Sequence, residues 1–398
     1  MRISIIGLDG TPLAPGASRL LDAAALVAGG RRHLEETAVG PERSVVLEGN
    51  LSEALSRIET ENGPVAVLAS GDPGFFGITR LIGERFGAEN LAVLPAVSSV
   101  SLAFARAGLS WDDAVVVSAH GREPRRAVNV CRARGKVAVL TSPGFGPAEL
   151  AREIRDLGRT FVVGERLGGP DERVFQGDAA GVAVGKWADP NVVLVLDEGR
   201  ATEKGWLSSG QESPGRWALP EDRFEHRSGM ITKRAARAVV LSRLGPGTGD
   251  MIWDVGAGSG SVAIECARLG AAAVAVEHDP ESCGRIRRNA GRHGVYVQTV
   301  EGSAPEALRG LPEPDAVFVG GTGGRFEEIV ATCAASARRT VVVSLVGLER
   351  VVPAGEILED RGFEVETTFH QTSVLKGIGD AHRLAPEGAV FLVCGSRP

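Results

Sequence analysis

No two of the five cysteines form a C-x-x-C pair: Cys131, Cys266, Cys283, Cys333 and Cys394 are scattered along 398 residues. That spacing excludes a disulfide-stapled scaffold and a thiolate metal site, and it reads as small core residues in a reducing compartment. The seven histidines are equally dispersed, so no metal is expected. No apolar run reaches the roughly 18 residues that a bilayer span needs. The opening MRISIIG runs into a strand pattern without a signal-peptide h-region or cleavage site. A cytoplasmic protein with no membrane partner is the expectation. Positive charge is in deficit: a net charge of −6 excludes nucleic acid as the main partner, while an anionic small substrate stays open wherever basic residues cluster. No nucleophile triad is legible either. What is present is a globular composition, 43% apolar and 24% charged, long enough for two or three domains.

The most informative stretch is Asp250–Asp279, DMIWDVGAGSGSVAIECARLGAAAVAVEHD. Met251–Val255 is a short apolar run of the size of a buried parallel strand. Gly256-Ala257-Gly258-Ser259-Gly260 follows, then a helix pattern over Val262–Leu269, then a second strand over Ala272–Val276 closed by Glu277. Glycines between strand and helix let the backbone turn tightly and approach a ligand, and a carboxylate ending the next strand can accept both hydroxyls of a ribose. A dinucleotide fingerprint needs a further glycine three residues after the second, where this chain has Ser261. A dinucleotide enzyme and a glycine bend with no ligand compete with the reading as a nucleoside-binding loop. The G-x-G-x-G spacing resembles motif I of the class I S-adenosylmethionine (SAM) methyltransferases. That resemblance implies SAM contacts at Asp254, Gly256, Ala257, Gly258, Ser259, Gly260 and Glu277.

Further along, Asp279-Pro280 suits the start of a helix running to about His293, and Val295–Val300, Pro314–Val319 and Thr340–Leu345 read as strands. By the same resemblance the loop after Val300 packs on the adenine, which nominates Ser303 and Ala304. Two closing strands without a helix between them, Phe363–His370 and Ala389–Cys394, match the antiparallel last strand of that class. Upstream, Gly229-Met230-Ile231-Thr232-Lys233 leads into a helix over Arg234–Leu244 ended by Gly245. This run resembles the entry segment of the precorrin C-15 methyltransferase/decarboxylase family, implying a SAM contact at Thr232. Lys233, Arg234 and Arg237 are either docking groups for substrate carboxylates or an exposed basic helix face.

Residues 1–110 alternate strand and helix signals, with strands ending in Gly/Ser/Asp-rich loops, which describes an α/β domain with ligands at the carboxyl edge; the whole first domain is expected over 1–200. ISIIGLDG, VAGGRRHL, ASGDPGFFG, LPAVSSVSLAFARAGLSWDDA and VVSAHGR occur in that order. They resemble the class III tetrapyrrole methylases, in which SAM lies in a cleft between two α/β subdomains, here about 1–112 and 113–200. The match implies cofactor contacts at Gly7, Leu8, Asp9, Gly71, Asp72, Ser98 and Ser99. The first loop departs from the family's G-x-G-P-G, having no proline after Asp9. His120 faces a substrate cleft or simply bonds loop backbone. Arg122, with Arg125 and Arg126, is a solvated basic face or a carboxylate dock.

Residues 201–226 break the periodicity and read as a linker, with the second domain over 227–398. The overall expectation is an α/β chain: a two-subdomain class III tetrapyrrole methylase fused to a Rossmann-like class I SAM methyltransferase. Together the resemblances imply two SAM sites and a precorrin-type tetrapyrrole substrate. They imply methylation of precorrin-6B, or its cobalt form, at C-5 and C-15 with decarboxylation of the ring C acetate, in a protein that forms a homo-oligomer. A fused methylase for another tetrapyrrole, or one domain as a silent SAM-binding module, remain the alternatives.

Overall fold

The computed structural model describes residues 2–47, 49, 51–199, 215–227 and 230–397. Residues 201–214 of the expected linker and Gly229 of the entry segment lie outside them. The chain divides into two compact units: Met1–Arg122 with Lys136–Ser208, and Glu123–Gly135 with Ser209–Pro398. Among the described residues no helix is long and apolar enough to cross a membrane.

The first unit holds two five-stranded sheets. In the first, β1 (Ile3–Leu8), β2 (Leu26–Gly29), β3 (Ser44–Val46), β4 (Val65–Ser70) and β5 (Leu91–Leu94) are all parallel, in the order β3-β2-β4-β1-β5. β1 and β2 are buried along their whole length, the pattern of strands covered on both faces. The second sheet consists of β6 (Val115–Ser118), β7 (Lys136–Leu140), β8 (Thr160–Glu165), β9 (Arg173–Asp178) and β10 (Asn191–Leu196), ordered β6-β7-β10-β8-β9 and mainly antiparallel.

The second unit has one seven-stranded sheet. Its strands are β11 (Met251–Val255), β12 (Ala272–Glu277), β13 (Gln298–Glu301), β14 (Ala316–Val319), β15 (Thr340–Leu345), β16 (Glu364–Ile378) and β17 (Ala381–Ser396), ordered β13-β12-β11-β14-β15-β17-β16. The first five are parallel and β17 is antiparallel to β15, as the closing pair of strands predicted. The order reverses at β11, so a crevice opens at its carboxyl end, where ligands of such sheets bind. Valines, Ile329 and Leu358 fill one face, and Val240, Leu244 and Val262 the other.

Local chemistry sets the helices that frame this crevice. Asp279 Oδ2 accepts the Ser282 amide at 3.1 Å and Pro280 takes the first position of the helix Pro280–Arg292. Gly245, at φ +54, ends the helix Arg234–Leu244.

The structure also departs from the periodicity reading. The helix Pro124–Ala133 buries Ala127, Val128, Val130 and Cys131, an apolar stripe masked by its arginines. That helix groups with the second unit, where Arg125 donates to both carboxylate oxygens of Asp315 at 2.8 and 2.7 Å. β9 is an edge strand exposed along most of its length, so no alternation announces it. β16 and β17 run well beyond the expected 363–370 and 389–394, because the added length of the ladder is largely exposed and carries no core-facing pattern.

Candidate functional site

At the carboxyl edge of the second unit's sheet lies a cavity of about 900 Å³. Asp254, Gly256, Ala257, Gly258, Ser259, Glu277, Thr232 and Lys233 all line it. Gly256 takes φ +70, and a Cβ there would stand 2.3 Å from the Gly321 carbonyl, so the loop after β11 packs against the loop after β14 only through glycine. Gly258 takes φ +56 with nothing within 4 Å of a built Cβ, which leaves its backbone open to close approach from the cavity.

Two carboxylates frame this loop. Glu277 Oε2 accepts the Gly258 amide at 2.8 Å, and its Oε1 accepts the His278 and Asp279 amides at 2.9 and 3.0 Å. Those bonds fix the carboxylate at the tip of β12 with lone pairs to spare. Asp254 is 1% exposed; its Oδ2 accepts the Ala263 amide at 3.0 Å, while its buried Oδ1 has no hydrogen-bond partner among the described residues. Burial, and secondarily the charge of Glu277, push the Asp254 carboxyl up to about 7 against the Ala263 bond. An unpartnered buried acceptor in a cavity wall is costly by itself and suits a cationic donor such as an aminoacyl ammonium. With a clamped acid for a diol and an open glycine for close approach, the residues present fit an S-adenosyl group.

Other expected residues stand elsewhere. Gly260 is the left-handed N-cap of the helix Ser261–Arg268, its backbone packed on Ile286. Ser303 and Ala304 are not on the cavity wall, although the neighbouring Gly302 amide donates to the Glu277 carbonyl at 2.9 Å. Arg234 is exposed, with Nε donating to the Ala218 carbonyl at 2.9 Å, and is also off the wall. Arg237 corrects the expectation outright. Its side chain is fully buried, donates to the carbonyls of Thr232 and Leu219, lies 4.8 Å from the Phe224 ring and 3.7 Å from Glu265. No substrate carboxylate reaches it; the spacing of basic residues could not reveal that the arginine points inward. The sequence reading also missed His370, Thr372 and Glu387, which line the cavity from β16 and β17.

The first unit has its own cavity of about 780 Å³, lined by Leu8, Asp9, Gly10, Gly71, Ser99 and His120 among others. Gly7, Asp72, Ser98 and Arg122 are not on its wall. Three of these four shape it instead. A Cβ on Gly7 would meet the Gly71 carbonyl at 2.0 Å, Asp72 Oδ1 accepts the Gly74 amide at 2.8 Å, and Ser98 Oγ caps the helix Ser99–Ala107 by accepting the Ser101 amide at 3.1 Å. Arg122 is exposed. Burial works to raise the Asp9 pKa, but bonds from Thr11 and the Val97 amide outweigh it and hold the carboxyl below its ordinary value. Arg32, His33 and Ser70 form a polar trio on this wall that the sequence reading did not nominate, although VAGGRRHL carried two of them.

Comparison with known proteins bears on both units. Residues 7–183 match the family model described as Tetrapyrrole (Corrin/Porphyrin) Methylases, and residues 222–392 that of the Precorrin methyltransferase domain. A precorrin-6Y C(5,15)-methyltransferase (decarboxylating) from Sinorhizobium sp is 41% identical over 333 residues, covering 80% of this chain and 77% of that protein. The chain belongs to the precorrin-6Y C(5,15)-methyltransferase family. Two relatives correspond to shorter portions. A cobalt-precorrin-7 C(5)-methyltransferase of Salmonella typhimurium is 37% identical over 47% of this chain and 92% of its own length. A probable cobalt-precorrin-6B C(15)-methyltransferase (decarboxylating) of Pyrobaculum calidifontis is 36% identical over 38% of this chain and 80% of its own length. As a precorrin-6Y C(5,15)-methyltransferase family member, the chain is a SAM-dependent methyltransferase, and the expected α/β fusion of a tetrapyrrole methylase with a Rossmann-like methyltransferase holds.

Proposed function

We propose that this chain methylates precorrin-6B, or its cobalt form, at C-15 and C-5 and removes CO2 from the ring C acetate. Residues 227–398 carry the C-15 methylation and decarboxylation, residues 1–200 carry the C-5 methylation, and 201–226 join them. Each part binds its own SAM. The observation that carries this reading is the 41% identity to a protein named for both methylations, over 80% of the chain, with a separate cavity in each unit. Bound SAM supplies an electrophilic sulfonium methyl, so the protein's tasks are to bind, orient and exclude water.

In the second unit, Asp254 Oδ1 accepts the aminoacyl ammonium, Glu277 the ribose hydroxyls, and the Gly258 backbone lies against the nucleoside. Thr232 closes the cofactor from the entry segment, and Lys233 and Arg227 on the same wall attract substrate carboxylates. In the first unit, Asp9, Gly71 and Ser99 serve the cofactor, while His120, Arg32 and Arg166 face the substrate. The same reading makes the protein cytoplasmic and self-associating. Incubation with precorrin-6B and methyl-labelled SAM tests it: two methyl groups enter and one CO2 leaves per substrate. A different acceptor, or no transfer from one unit, overturns it.

A further inference from the structure

One wall of the second unit's cavity comes from a part of the fold that the cofactor loops do not reach. There the β16–β17 ladder is interrupted. Gln371 pairs with Ala389 and Ser373 with Pro386, so Thr372 alone faces two residues, Glu387 and Gly388. Gly388 takes φ +110, a conformation that L side chains rarely adopt. An extra residue in one strand bends the ladder and re-aims its side chains. Here it accompanies His370, Thr372 and Glu387 on the cavity wall. Thr368, His370 and Thr372 share one half-buried face of β16, while Phe369, Gln371 and Ser373 are exposed. Thr368 Oγ1 lies 2.7 Å from His370 Nε2, which orients the ring through that nitrogen and turns Nδ1 into the second, separate handle of the imidazole.

We propose that His370 is the catalytic acid of the decarboxylation. This rests on the function proposed above. Loss of CO2 from a ring acetate breaks the bond between CH2 and the carboxylate and leaves the electron pair on the CH2, in conjugation with the macrocycle. That carbon becomes a methyl only by gaining a proton. The balanced step is –CH2–COO⁻ plus imidazolium giving –CH3, CO2 and neutral imidazole. An imidazole can hand over a proton as a general acid, and Nδ1 is the nitrogen that Thr368 leaves available. The other histidine on this wall, His278, sits on the cofactor side with a 75% exposed side chain 2.9 Å from Glu277. In the function proposed above Asp254 and Glu277 serve the cofactor; Glu277 accepts the Gly258 amide of the glycine loop and Asp254 the Ala263 amide of the helix that follows. Asp279 caps the helix Pro280–Arg292 and Lys233 is the ammonium placed on substrate carboxylates, which leaves Glu387, across the interrupted ladder, as the competing carboxyl.

The experiment uses the full chain, methyl-labelled SAM and precorrin-6B, and reads C-15 methyl incorporation and CO2 release in the same reaction. Wild type releases one CO2 per C-15 methyl. His370→Asn keeps methyl transfer within several-fold but releases CO2 at least about 100-fold more slowly, so a methylated, still carboxylated product accumulates. His370→Gln repeats the result, and S-adenosylhomocysteine binding by both variants reports that the cavity is folded. A CO2-to-methyl ratio that stays at one, both steps falling together, or uncoupling by Glu387→Gln in place of the His370 variants overturns the assignment. Wild type yielding neither methyl transfer nor CO2 sinks the functional reading itself, which is a distinct outcome.

Discussion

Arg237 Nη1 donates to the Thr232 carbonyl at 2.6 Å from a fully buried position. The same guanidinium holds the Leu219 carbonyl and stands 3.7 Å from the equally buried Glu265, which also accepts the Leu219 amide at 2.6 Å and Arg268 at 2.9 Å. Burial lowers the Arg237 pKa, and Glu265 with Glu221 oppose that. Removing the guanidinium leaves the Thr232 and Leu219 carbonyls without their donor, at about 1–3 kcal/mol for each buried group, while Glu265 keeps Arg268. Arg237→Ala therefore destabilises the second unit by roughly that amount in urea unfolding. It also weakens S-adenosylhomocysteine binding, because the Thr232 segment loses its brace. A variant with wild-type stability and only a raised substrate KM returns Arg237 to the role of a carboxylate dock.

The Asp254 carboxyl sets a pH dependence. Its folded pKa is about 7 against an ordinary value of 3.8, so the folded state holds a proton that the unfolded chain has released over that interval. Stability from this group is fully present below the unfolded value and is lost as pH rises through about 7. Without ligand, the second unit loses up to about 1.4 kcal/mol per pH unit across that window. A cationic ammonium needs the ionised form, so S-adenosylhomocysteine affinity moves the other way and rises with pH, with proton uptake by the buffer on binding. Thermal melting and calorimetry at pH 5 to 8 check both signs, and in Asp254→Asn the melting loses this component and the affinity is weak throughout.

Gly256 and Gly258 stand in one loop but answer to different forces. An alanine at Gly256 collides with the backbone of Gly321, which cannot yield, so Gly256→Ala lowers stability sharply. At Gly258 the new methyl meets nothing within 4 Å and the cost is the left-handed backbone alone, about 1–2 kcal/mol. The same methyl occupies the space that a ligand needs, so Gly258→Ala loses roughly tenfold or more in S-adenosylhomocysteine affinity, a loss of about 1.4 kcal/mol or greater. Melting and calorimetry on the two variants separate the roles; equal losses in both measurements contradict them.

Much of this was legible because the informative residues lie close together in sequence. Strand, glycine loop, helix and acid-ended strand fall within Asp250–Asp279, and β11, β15 and the helix Arg234–Leu244 have the ends that periodicity gave. Wall residues that come from distant sequence were not legible. His370 and Glu387 reach the cavity from two long strands beside a ladder irregularity, and no local pattern encodes that irregularity. The direction of Arg237 was likewise hidden, since a helix face reads as basic from composition and its burial involves Phe224 and Glu265, which lie outside its own helix. Ser98 and Asp72 were nominated as ligand contacts because their motif is specific, yet their side chains hold the loops that shape the cavity.

In the first unit the trio of Arg32, His33 and Ser70 yields a last expectation. Arg32 Nη2 lies 3.1 Å from both His33 Nε2 and Ser70 Oγ, and Ser70 Oγ lies 2.9 Å from His33 Nε2. A guanidinium only donates, so Arg32 holds Ser70 Oγ as an acceptor and stands against His33 Nε2. Arg32→Ala releases that nitrogen from the guanidinium, loosens the ring and removes a cation from the cavity wall. The effect is confined to this cavity, since the trio lines it and not the cavity of the second unit. Mass spectrometry of the product then finds one added methyl with CO2 already lost, in place of two, because C-15 methylation proceeds while C-5 methylation falls by roughly tenfold or more, the loss of about one charge-assisted contact. If both methyl groups still enter at wild-type rates, the trio plays no part in the first unit's reaction.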